Sequence, residues 1–282
     1  MQEKQLTPGH CRAFAQYLRE QERSASTIMK YMHDIGLFMA SLDGGLVNKE
    51  AVIAFKHGLT ERYKLSSANS MLVAVNSLFS FLGWYEMRVK LFKMQRQSFR
   101  PSDRELSRTE YQRLLHAAKS RSNERLYLLM QTICSTGLRV SEHRFVTVEA
   151  LRTGRARVHN KGKQRLVFLP GELTARLLQY CKRVGIASGP VFVTRTGKPL
   201  DRSNIWAAMK RLCKEARVDA AKVYPHNLRH LFAVTYYRLE RDLAHLADVL
   251  GHASVETTRI YTATSAKEHE KKLSRLGLLC SG

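Results

Sequence analysis

The amino-acid sequence predicts a mainly α-helical chain of two domains, with one small β-hairpin in the second. Three observations lead to this prediction. Apolar residues recur at helical spacing through most of the 282 residues. The stretch 93–108 is polar and has no such period, and strict alternation of apolar and polar residues is confined to two short runs, 155–158 and 164–169. The hydrophobic fraction of 44% is enough for folded cores and excludes a disordered or fibrous chain.

The first hundred residues predict a bundle of four helices with little sign of a β-strand. Thr7 and Pro8 form a favourable N-cap and first-turn pair for the first helix. Ser26 can cap the second helix, a third starts at Asn48, and a fourth, apolar on a wide face, begins near Ser66. We therefore expect a small helical domain over this part of the chain.

The second part of the chain begins after the polar stretch. Because residues 93–108 contain Pro101 and lack periodicity, we expect an exposed linker there. Helical patterns then resume, and the turn-rich residues 160–163 join the two alternating runs into a β-hairpin. Residues 191–193 predict one further short strand, and the rest is helical to the end.

The charge balance indicates a polyanionic partner. The chain has 47 Lys and Arg against 24 Asp and Glu, a net charge of +23. Residues 151–200, which include the hairpin, hold eleven basic residues and one acid. The hairpin is therefore the predicted polyphosphate contact, and a merely solvated basic surface is the alternative. Its predicted contact residues are Arg155, Arg157, Lys163 and Arg165.

Membrane insertion and secretion are not favoured by the sequence. The most apolar stretch, 71–84, is interrupted by polar residues and is too short to span a bilayer, and no signal peptide opens the chain. The five cysteines are odd in number and never form a C-x-x-C pair, so neither a disulfide framework nor a cysteine zinc site is expected. We expect a reduced, cytoplasmic protein with no membrane partner.

Two short segments carry groups that can act on a phosphate. In TGLRVSE, Arg139 follows a glycine-containing break at an expected helix start, and Glu142 lies one turn further on, where it can brace the arginine. In PHNLRH, proline marks a helix start, and His226 and Arg229 are three residues apart on one helical face. Singly these signals are weak, because such an arginine is more often a surface residue and such a histidine a structural one.

A third segment completes a recognisable order of residues. It is LGH, which contains His252 and is followed nine residues later by Tyr261. Alone, a tyrosine near a C-terminus is usually a packing residue. With the two preceding segments and a lysine on the intervening hairpin, however, the chain resembles the tyrosine recombinases of the phage-integrase family at every position of their Arg…Lys…His-x-x-Arg…His…Tyr pattern. The amino-acid sequences of these motifs are most similar to those of integrases of conjugative transposons.

The resemblance implies a fold and a domain organisation. Members form a two-domain, C-shaped clamp around DNA. By this resemblance residues 1–95 would be a helical core-binding (SAM-like) domain, residues 96–108 a linker, and residues 109–282 the catalytic domain with a C-terminal exchange helix. Transposon integrases usually carry a further arm-binding domain ahead of the bundle, which begins here almost at residue 1. His143 departs from the family pattern, which places an apolar residue there, and this puts the local packing in doubt.

The implied reaction breaks and rejoins DNA through a covalent intermediate. Tyr261 would attack the phosphodiester, form a 3′-phosphotyrosyl ester and release a 5′-hydroxyl. A phenol is mostly protonated and a poor nucleophile at neutral pH, so the charge that builds at phosphorus needs stabilisation. Arg139 and Arg229 can provide it by contacts to the non-bridging oxygens. No metal and no cofactor is implied, since these motifs contain no acidic cluster suited to two metals.

The other roles are carried over from the family residue by residue. Lys161 on the hairpin would protonate the leaving 5′-oxygen, with Lys163 as the alternative. His226 would help to deprotonate the tyrosine or hold the phosphate, and His252 would hydrogen-bond the same phosphate. Glu142 would orient the first arginine from behind, although an ordinary helix-start carboxylate is an equal interpretation of it.

The implied partners are DNA attachment sites and further copies of the chain. Two strand exchanges need four active sites, hence a tetramer on a Holliday junction, for integration and excision of a mobile element, with an accessory excision factor as a further partner. An apolar stripe in the tail 265–282 would pack on a neighbouring subunit, or alternatively on its own domain. This stripe consists of Leu273, Leu276, Leu278 and Leu279.

Two other functions compete with site-specific recombination. They are those of a type IB topoisomerase and of a non-enzymatic DNA-binding regulator.

Overall fold

The computed structural model divides into two compact units, Met1–Arg96 and Gln97–Gly282. Asn160 and Lys163 are described by their backbone alone. The residues that the structure describes are 4–42, 44–94, 104–160, 163–252, 254–261 and 274–275.

The first unit is a bundle of four helices with a two-residue β-ribbon. The ribbon, which the sequence did not predict, pairs Lys4 with Val47 and Gln5 with Leu46 in antiparallel register. Phe14, Phe38 and Phe79 are fully buried between the helices, and burying each such side chain stabilises the unit by roughly 1.5–3 kcal/mol. The elements are β1 Lys4–Gln5, α1 Pro8–Glu20, α2 Ala25–Ala40, β2 Leu46–Val47, α3 Lys49–Arg62 and α4 Leu65–Phe81.

The helix starts of this unit follow capping chemistry. Thr7 accepts a hydrogen bond from the backbone N–H of His10 at 3.3 Å, and Asn48 accepts one from Ala51 at 2.8 Å, as the sequence predicts. The second cap is Ser24 rather than Ser26. Ser24 is the residue with extended backbone, and its hydroxyl accepts from the N–H of Thr27 at 3.3 Å.

The second unit contains the remaining helices and the hairpin. A short 3₁₀ helix, Val140–Phe145, lies between α6 and α7, and another, Arg259–Tyr261, follows α13. The main elements are α5 Arg108–Ser120, α6 Glu124–Thr136, α7 Val148–Thr153, β3 Arg155–Asn160, β4 Lys163–Phe168, α8 Gly171–Val184, α9 Arg202–Lys210, α10 Cys213–Ala216, α11 Pro225–Glu240, α12 Leu243–Leu250 and α13 Val255–Thr258.

The predicted exposed linker is shorter than the sequence indicates. Leu106 is only 3% exposed and belongs to the core of the second unit. The Asn227 side chain donates a hydrogen bond to the carbonyl oxygen of Arg104 at 2.9 Å. Residues 104–107 therefore pack against α11, because one apolar side chain and one buried amide hold them there.

The hairpin has two different faces. Ala156, Val158 and Val167 are buried, whereas Arg155 and Arg157 alternate with them and are exposed. The register pairs Arg155 with Phe168 and Arg157 with Leu166, so these four residues share the outward face.

The strand predicted at 191–193 is absent. Val191 and Phe192 are fully buried, but Val193 makes only an isolated bridge to Pro199, and Pro190 makes another to Thr147. Pro190, which precedes the segment, and Pro199, the bridge partner of Val193, each lack a backbone N–H, so a regular ladder does not form here.

Within the described residues, no helix combines the length and apolar character that crossing a membrane requires. The cysteines at 11, 134, 181 and 213 are free thiols.

Candidate active site

Arg139 is placed by the end of α6. Gly137 ends this helix in a left-handed conformation, φ +67°, where a Cβ would lie 2.5 Å from the Phe232 ring, so glycine is required at this turn. The chain then turns into the 3₁₀ helix, with Arg139 as its N-cap residue. The Arg139 guanidinium donates to Glu142 Oε1 at 2.9 Å and to the Gly251 carbonyl at 3.1 Å.

Arg229 is a buried cation held by the ends of two other helices. It lies one turn into α11 and is 2% exposed. Its Nη1 donates to the Gly137 carbonyl at 2.5 Å and its Nη2 to the Leu250 carbonyl at 2.8 Å. Both carbonyls lie at helix C-termini, where the partial charge is negative, and this favours a cation. Burial and then the nearby Arg139 charge lower the pKa of Arg229 to about 10, so it remains charged at neutral pH.

His252 connects Arg229 to the helix that precedes the tyrosine. Its Nε2 accepts from Arg229 Nη2 at 3.1 Å, and its Nδ1 therefore carries the proton and donates to the Thr258 hydroxyl at 2.7 Å. Burial, followed by the charges of Arg229 and Arg139, lowers the pKa of His252 to about 4. The ring is neutral at pH 7.

Tyr261 lies against two histidine rings. It is 4% exposed and packs with Leu246 and Leu250 of α12. Its ring stacks on His252, with centroids 6.2 Å apart and planes at 17°, and contacts His230 at 5.1 Å. The structure therefore brings the predicted nucleophile to the same cluster as Arg229 and His252.

His226 and the two arginines line one open cavity of about 690 Å³. The N-terminal turns of α9 form another wall through Arg202 and Trp206. Among the described residues, two of the five N–H donors of Arg139 and three of those of Arg229 are used by protein acceptors. Arg139, whose side chain is 30% exposed, thus keeps N–H groups that no described protein acceptor uses.

Glu142 is buried behind Arg139, as the bracing interpretation requires. It is 1% exposed, and its carboxylate accepts from the Arg139 side chain at 2.9 Å and from the Arg139 backbone N–H at 2.7 Å. Burial alone would raise the pKa of Glu142. The hydrogen bonds from Arg165 and the Arg139 backbone outweigh it and hold the pKa at about 2.

Arg165 is not on the exposed hairpin surface where a DNA contact was predicted. Both of its terminal nitrogens donate to Glu142, at 2.8 and 2.7 Å, and its side chain is 13% exposed. The reason is strand alternation, which places Arg165 on the inward face with Val167. Arg155 and Arg157 are exposed, as a surface contact requires, but on the opposite face.

The hairpin lysines and His143 are the remaining residues that the sequence singles out. Lys161, the expected general acid, lies outside the described residues, and only the backbone of Lys163, in β4, is described. His143 is buried, and its Nδ1 donates to the Val140 carbonyl at 2.5 Å while the ring contacts Phe192. Burial lowers the pKa of His143 and so favours the uncharged ring, whose Nε2 is buried with no hydrogen-bond partner in the described structure.

The sequence prediction missed two side chains that contact the predicted site residues and gave a third, Arg165, a different role. His230 contacts Tyr261 and hydrogen-bonds to Glu105 at 3.1 Å, Thr258 accepts from His252, and Arg165 donates to Glu142. His230 lies within PHNLRH and Thr258 between His252 and Tyr261, but nothing in their spacing identifies their partners. In the described part of the chain, no three His, Cys, Asp or Glu residues are grouped to hold a metal ion.

Together, two arginines and a histidine around a cavity, with a tyrosine beside them, define a class of enzyme that cleaves DNA with a tyrosine nucleophile. Comparison with known proteins places the chain within this class. Residues 104–268 match the phage integrase family, to which the chain belongs. It is a site-specific tyrosine recombinase, which cuts and rejoins DNA.

Individual relatives agree with this assignment. The chain is 29% identical to the tyrosine recombinase XerA of Pyrococcus furiosus, over 99% of this chain and 98% of the relative. Its fold is that of the Tn1549 transposon integrase bound to transposon right end DNA, with a TM-score of 0.72 and 15% identity over 95% of this chain and 99% of the other. A lambda integrase tetramer bound to a Holliday junction also has a TM-score of 0.72, with 18% identity over 90% of this chain and 76% of the other. The predicted family and fold class are confirmed.

Proposed function

We propose that Tyr261 is the nucleophile of this recombinase and that Arg139 and Arg229 bind the scissile phosphate. Attack by the phenol oxygen forms a bond to phosphorus, and the 5′-oxygen leaves with a proton. The 5′-hydroxyl of a second duplex then displaces the tyrosine, so the number of phosphodiester bonds is conserved. This step-by-step exchange needs no energy source beyond the DNA itself.

One observation carries the assignment of the site. Tyr261 stacks on His252, which accepts a hydrogen bond from Arg229, which lines the same cavity as Arg139 and His226. A phosphate in that cavity meets two guanidinium groups whose positions are already set by protein acceptors. Such preorganised donors stabilise charge that develops in the transition state.

The same arrangement supports the roles of the histidines and of the hairpin lysine. His226 lines the cavity and can take the tyrosine proton or bind a phosphate oxygen. His252 is neutral, accepts from Arg229 through Nε2 and donates to Thr258 through Nδ1, so in this tautomer it holds the Arg229 guanidinium in place for the phosphate. The direct hydrogen bond to the phosphate that the family pattern implies would need the proton on Nε2 instead. Lys161 would protonate the leaving 5′-oxygen from the hairpin tip, with Lys163 as the alternative.

At the level of the molecule, we infer a DNA clamp that works as a tetramer. Residues 1–95 would bind the core site of the DNA, and residues 109–282 would catalyse strand cleavage and rejoining. Residues 96–108 would link these two domains. Support comes from the lambda integrase tetramer on a Holliday junction, which shares the fold. The tail that would join neighbouring subunits, including all four leucines of its apolar stripe, lies outside the described residues.

The experiment is incubation with a duplex nicked near the attachment site, so that the fragment beyond the nick is released after cleavage. A recombinase accumulates a covalent protein–DNA adduct and passes strands to an added second duplex. An adduct without strand transfer, together with relaxation of a supercoiled plasmid in a parallel reaction, would support a type IB topoisomerase, and no adduct would support a DNA-binding regulator.

We further infer that the biological substrate is the pair of ends of a mobile element, with an accessory excision factor as a second partner. The support is the resemblance of the motifs to transposon integrases. Sequencing the DNA that is covalently attached to the chain in its own host tests this. Attachment at element ends agrees with the inference, whereas attachment at a single fixed chromosomal site contradicts it.

A further inference from the structure

We propose that Arg165 is a positioning residue of the reaction, which orients Arg139 through Glu142 and joins the hairpin to the phosphate site. The inference rests on the proposed function and adds to it a residue outside the six predicted catalytic positions. It replaces the prediction that Arg165 is a DNA contact.

The first observation is the geometry of the Arg165–Glu142 pair. Two parallel hydrogen bonds, 2.8 and 2.7 Å, join the guanidinium to both carboxylate oxygens. This bidentate arrangement fixes the plane of the carboxylate as well as its position. The same two oxygens accept from the side chain and the backbone N–H of Arg139, so the plane of Glu142 sets the direction of Arg139.

The second observation is burial. Glu142 is 1% exposed, and one carboxylate is shared by two arginines. Without Arg165, both carboxylate oxygens of Glu142 would be available to the Arg139 side chain. The carboxylate would then neutralise the guanidinium that is proposed to bind the phosphate. With Arg165 present, the three groups carry a net charge of +1, and Arg139 keeps unused donors toward the cavity.

The third observation is the close fit at Gly251. Its carbonyl accepts from Arg139 at 3.1 Å, and a Cβ at this position would lie 2.6 Å from Arg165 Cδ. Gly251 has φ +63°, so a side chain there is strained for a second reason. The glycine that precedes His252 therefore contacts both arginines, and the hairpin packs on the end of α12 at this point.

Arg165 is poorly placed to bind DNA itself. Both terminal nitrogens are used by Glu142, and its Nε is buried with no hydrogen-bond partner in the described structure. A phosphate contact would have to break the buried pair. Leaving a buried carboxylate with fewer partners is strongly unfavourable.

The test compares Arg165→Met with wild type in the nicked-duplex assay at saturating DNA. We expect the cleavage rate to fall by about 10²-fold, the scale seen when a phosphate-stabilising donor is removed, with little change in the Kd for intact DNA. Arg176→Met is the matched control, because Arg176 also pairs with a glutamate, Glu172, but on an exposed surface. It should cleave at the wild-type rate.

A methylphosphonate at the scissile position distinguishes positioning from a general loss of structure. It removes one anionic oxygen, so the reaction depends less on Arg139. The defects of Arg165→Met and Arg139→Ala should both shrink on this substrate. Equal defects on both substrates would mean that Arg165 is only a folding residue, and a weaker Kd with normal saturated cleavage would mean that it is a DNA contact.

A double-mutant cycle with Glu142→Gln tests whether Arg165 acts through Glu142. The double variant also removes both buried charges, so it should be less destabilised than a single variant that leaves one of them without its partner. We expect the double variant to lose no more activity than Glu142→Gln alone. If the fold-losses of the two single variants multiply in the double variant, the two residues act independently and the inference is overturned. A wild-type chain without any adduct would overturn the proposed function and this inference together, whereas a wild-type rate in Arg165→Met would overturn only the inference.

Discussion

At the scale of single residues, the groups of this site are held by partners that are distant in the sequence. Arg229 is charged and buried because the carbonyl oxygens of Gly137 and Leu250, at two helix ends, replace the water around it. Its third contact, to His252, leaves that histidine with one defined tautomer. Protein contacts alone therefore fix the position of Arg229 in the proposed phosphate site.

Lys161→Ala tests the source of the leaving-group proton. We expect cleavage of ordinary DNA to fall by roughly 10²–10⁴-fold, because the 5′-oxygen then leaves without a proton donor. A 5′-phosphorothiolate substrate, whose sulfur leaves without a proton, should restore most of the rate. Rescue of Lys163→Ala in place of Lys161→Ala would reassign the role to Lys163.

The pH dependence of stability tests the state of His252. Burial lowers its pKa to about 4, so the unfolded chain binds a proton that the folded chain excludes between about pH 6.5 and pH 4. Stability contributed by the neutral ring is present above this window and is lost as pH falls through it. Acidification from pH 7 to pH 5 should lower the free energy of unfolding by on the order of 1–3 kcal/mol more in wild type than in His252→Gln. Equal decreases, measured by denaturant unfolding, would contradict the neutral, buried ring.

The residues that we propose for catalysis could be named from the sequence because they lie in short motifs with fixed spacing. Arg139, Arg229, His252 and Tyr261 all meet in the structure as the family pattern implies. The role of Arg165 could not be predicted, because it depends on a carboxylate 23 residues away and on the inward register of β4.

At the scale of elements, the hairpin has one face toward the site and one toward solvent. Arg165 is on the first, and Arg155, Arg157 and Phe168 are on the second. Phe168 is 66% exposed and lies under the Arg155 guanidinium at 5.5 Å. The alternation that made the hairpin easy to predict therefore divides its basic residues between a buried face and an exposed face.

Neutralising the outward face tests whether it binds the DNA backbone. For the double variant Arg155→Gln, Arg157→Gln, we expect the dependence of log K on log[salt] to become shallower by roughly 0.9 for each phosphate that the variant no longer binds. Arg176→Gln removes one exposed charge from α8 and serves as the control. An unchanged slope would show that the outward face does not bind DNA phosphates.

The types of the elements could be predicted from the sequence more accurately than their boundaries. Asn48 could be predicted as a cap, but Ser24 and Ser26 both fit the second helix, and only the backbone conformation decides between them. The ribbon of β1 and β2 could not be predicted, because two residues are too few to show a period. Likewise, the apolar residues at 191–193 resemble a strand although the neighbouring prolines prevent a ladder.

At the scale of the whole molecule, charge and chain organisation agree with a DNA recombinase. The net charge of +23 is unevenly divided: residues 1–100 contribute 14 basic and 8 acidic residues, or +6, which leaves +17 for the rest. The second unit, which contains the site, therefore holds most of the excess positive charge. Its attraction for DNA should weaken steeply with salt.

Deletion of residues 270–282 tests whether the tail joins subunits. We expect the shortened chain to bind a single duplex nearly as well as the full chain, but to form fewer two-site complexes and to cleave without waiting for assembly. Gel shift and adduct formation on one and on two sites measure this. Normal assembly and recombination by the shortened chain would show that the tail packs on its own domain.

The assignment of Tyr261 as the nucleophile is tested by identifying the residue that becomes covalently bound to the DNA. Wild-type chain trapped on the nicked duplex is digested, and the peptide attached to the 3′-phosphate is sequenced by mass spectrometry. We expect one modified peptide with the nucleotide on Tyr261, and no adduct from Tyr261→Phe, which should still bind DNA. An adduct on another residue, or an adduct that persists in Tyr261→Phe, would contradict it.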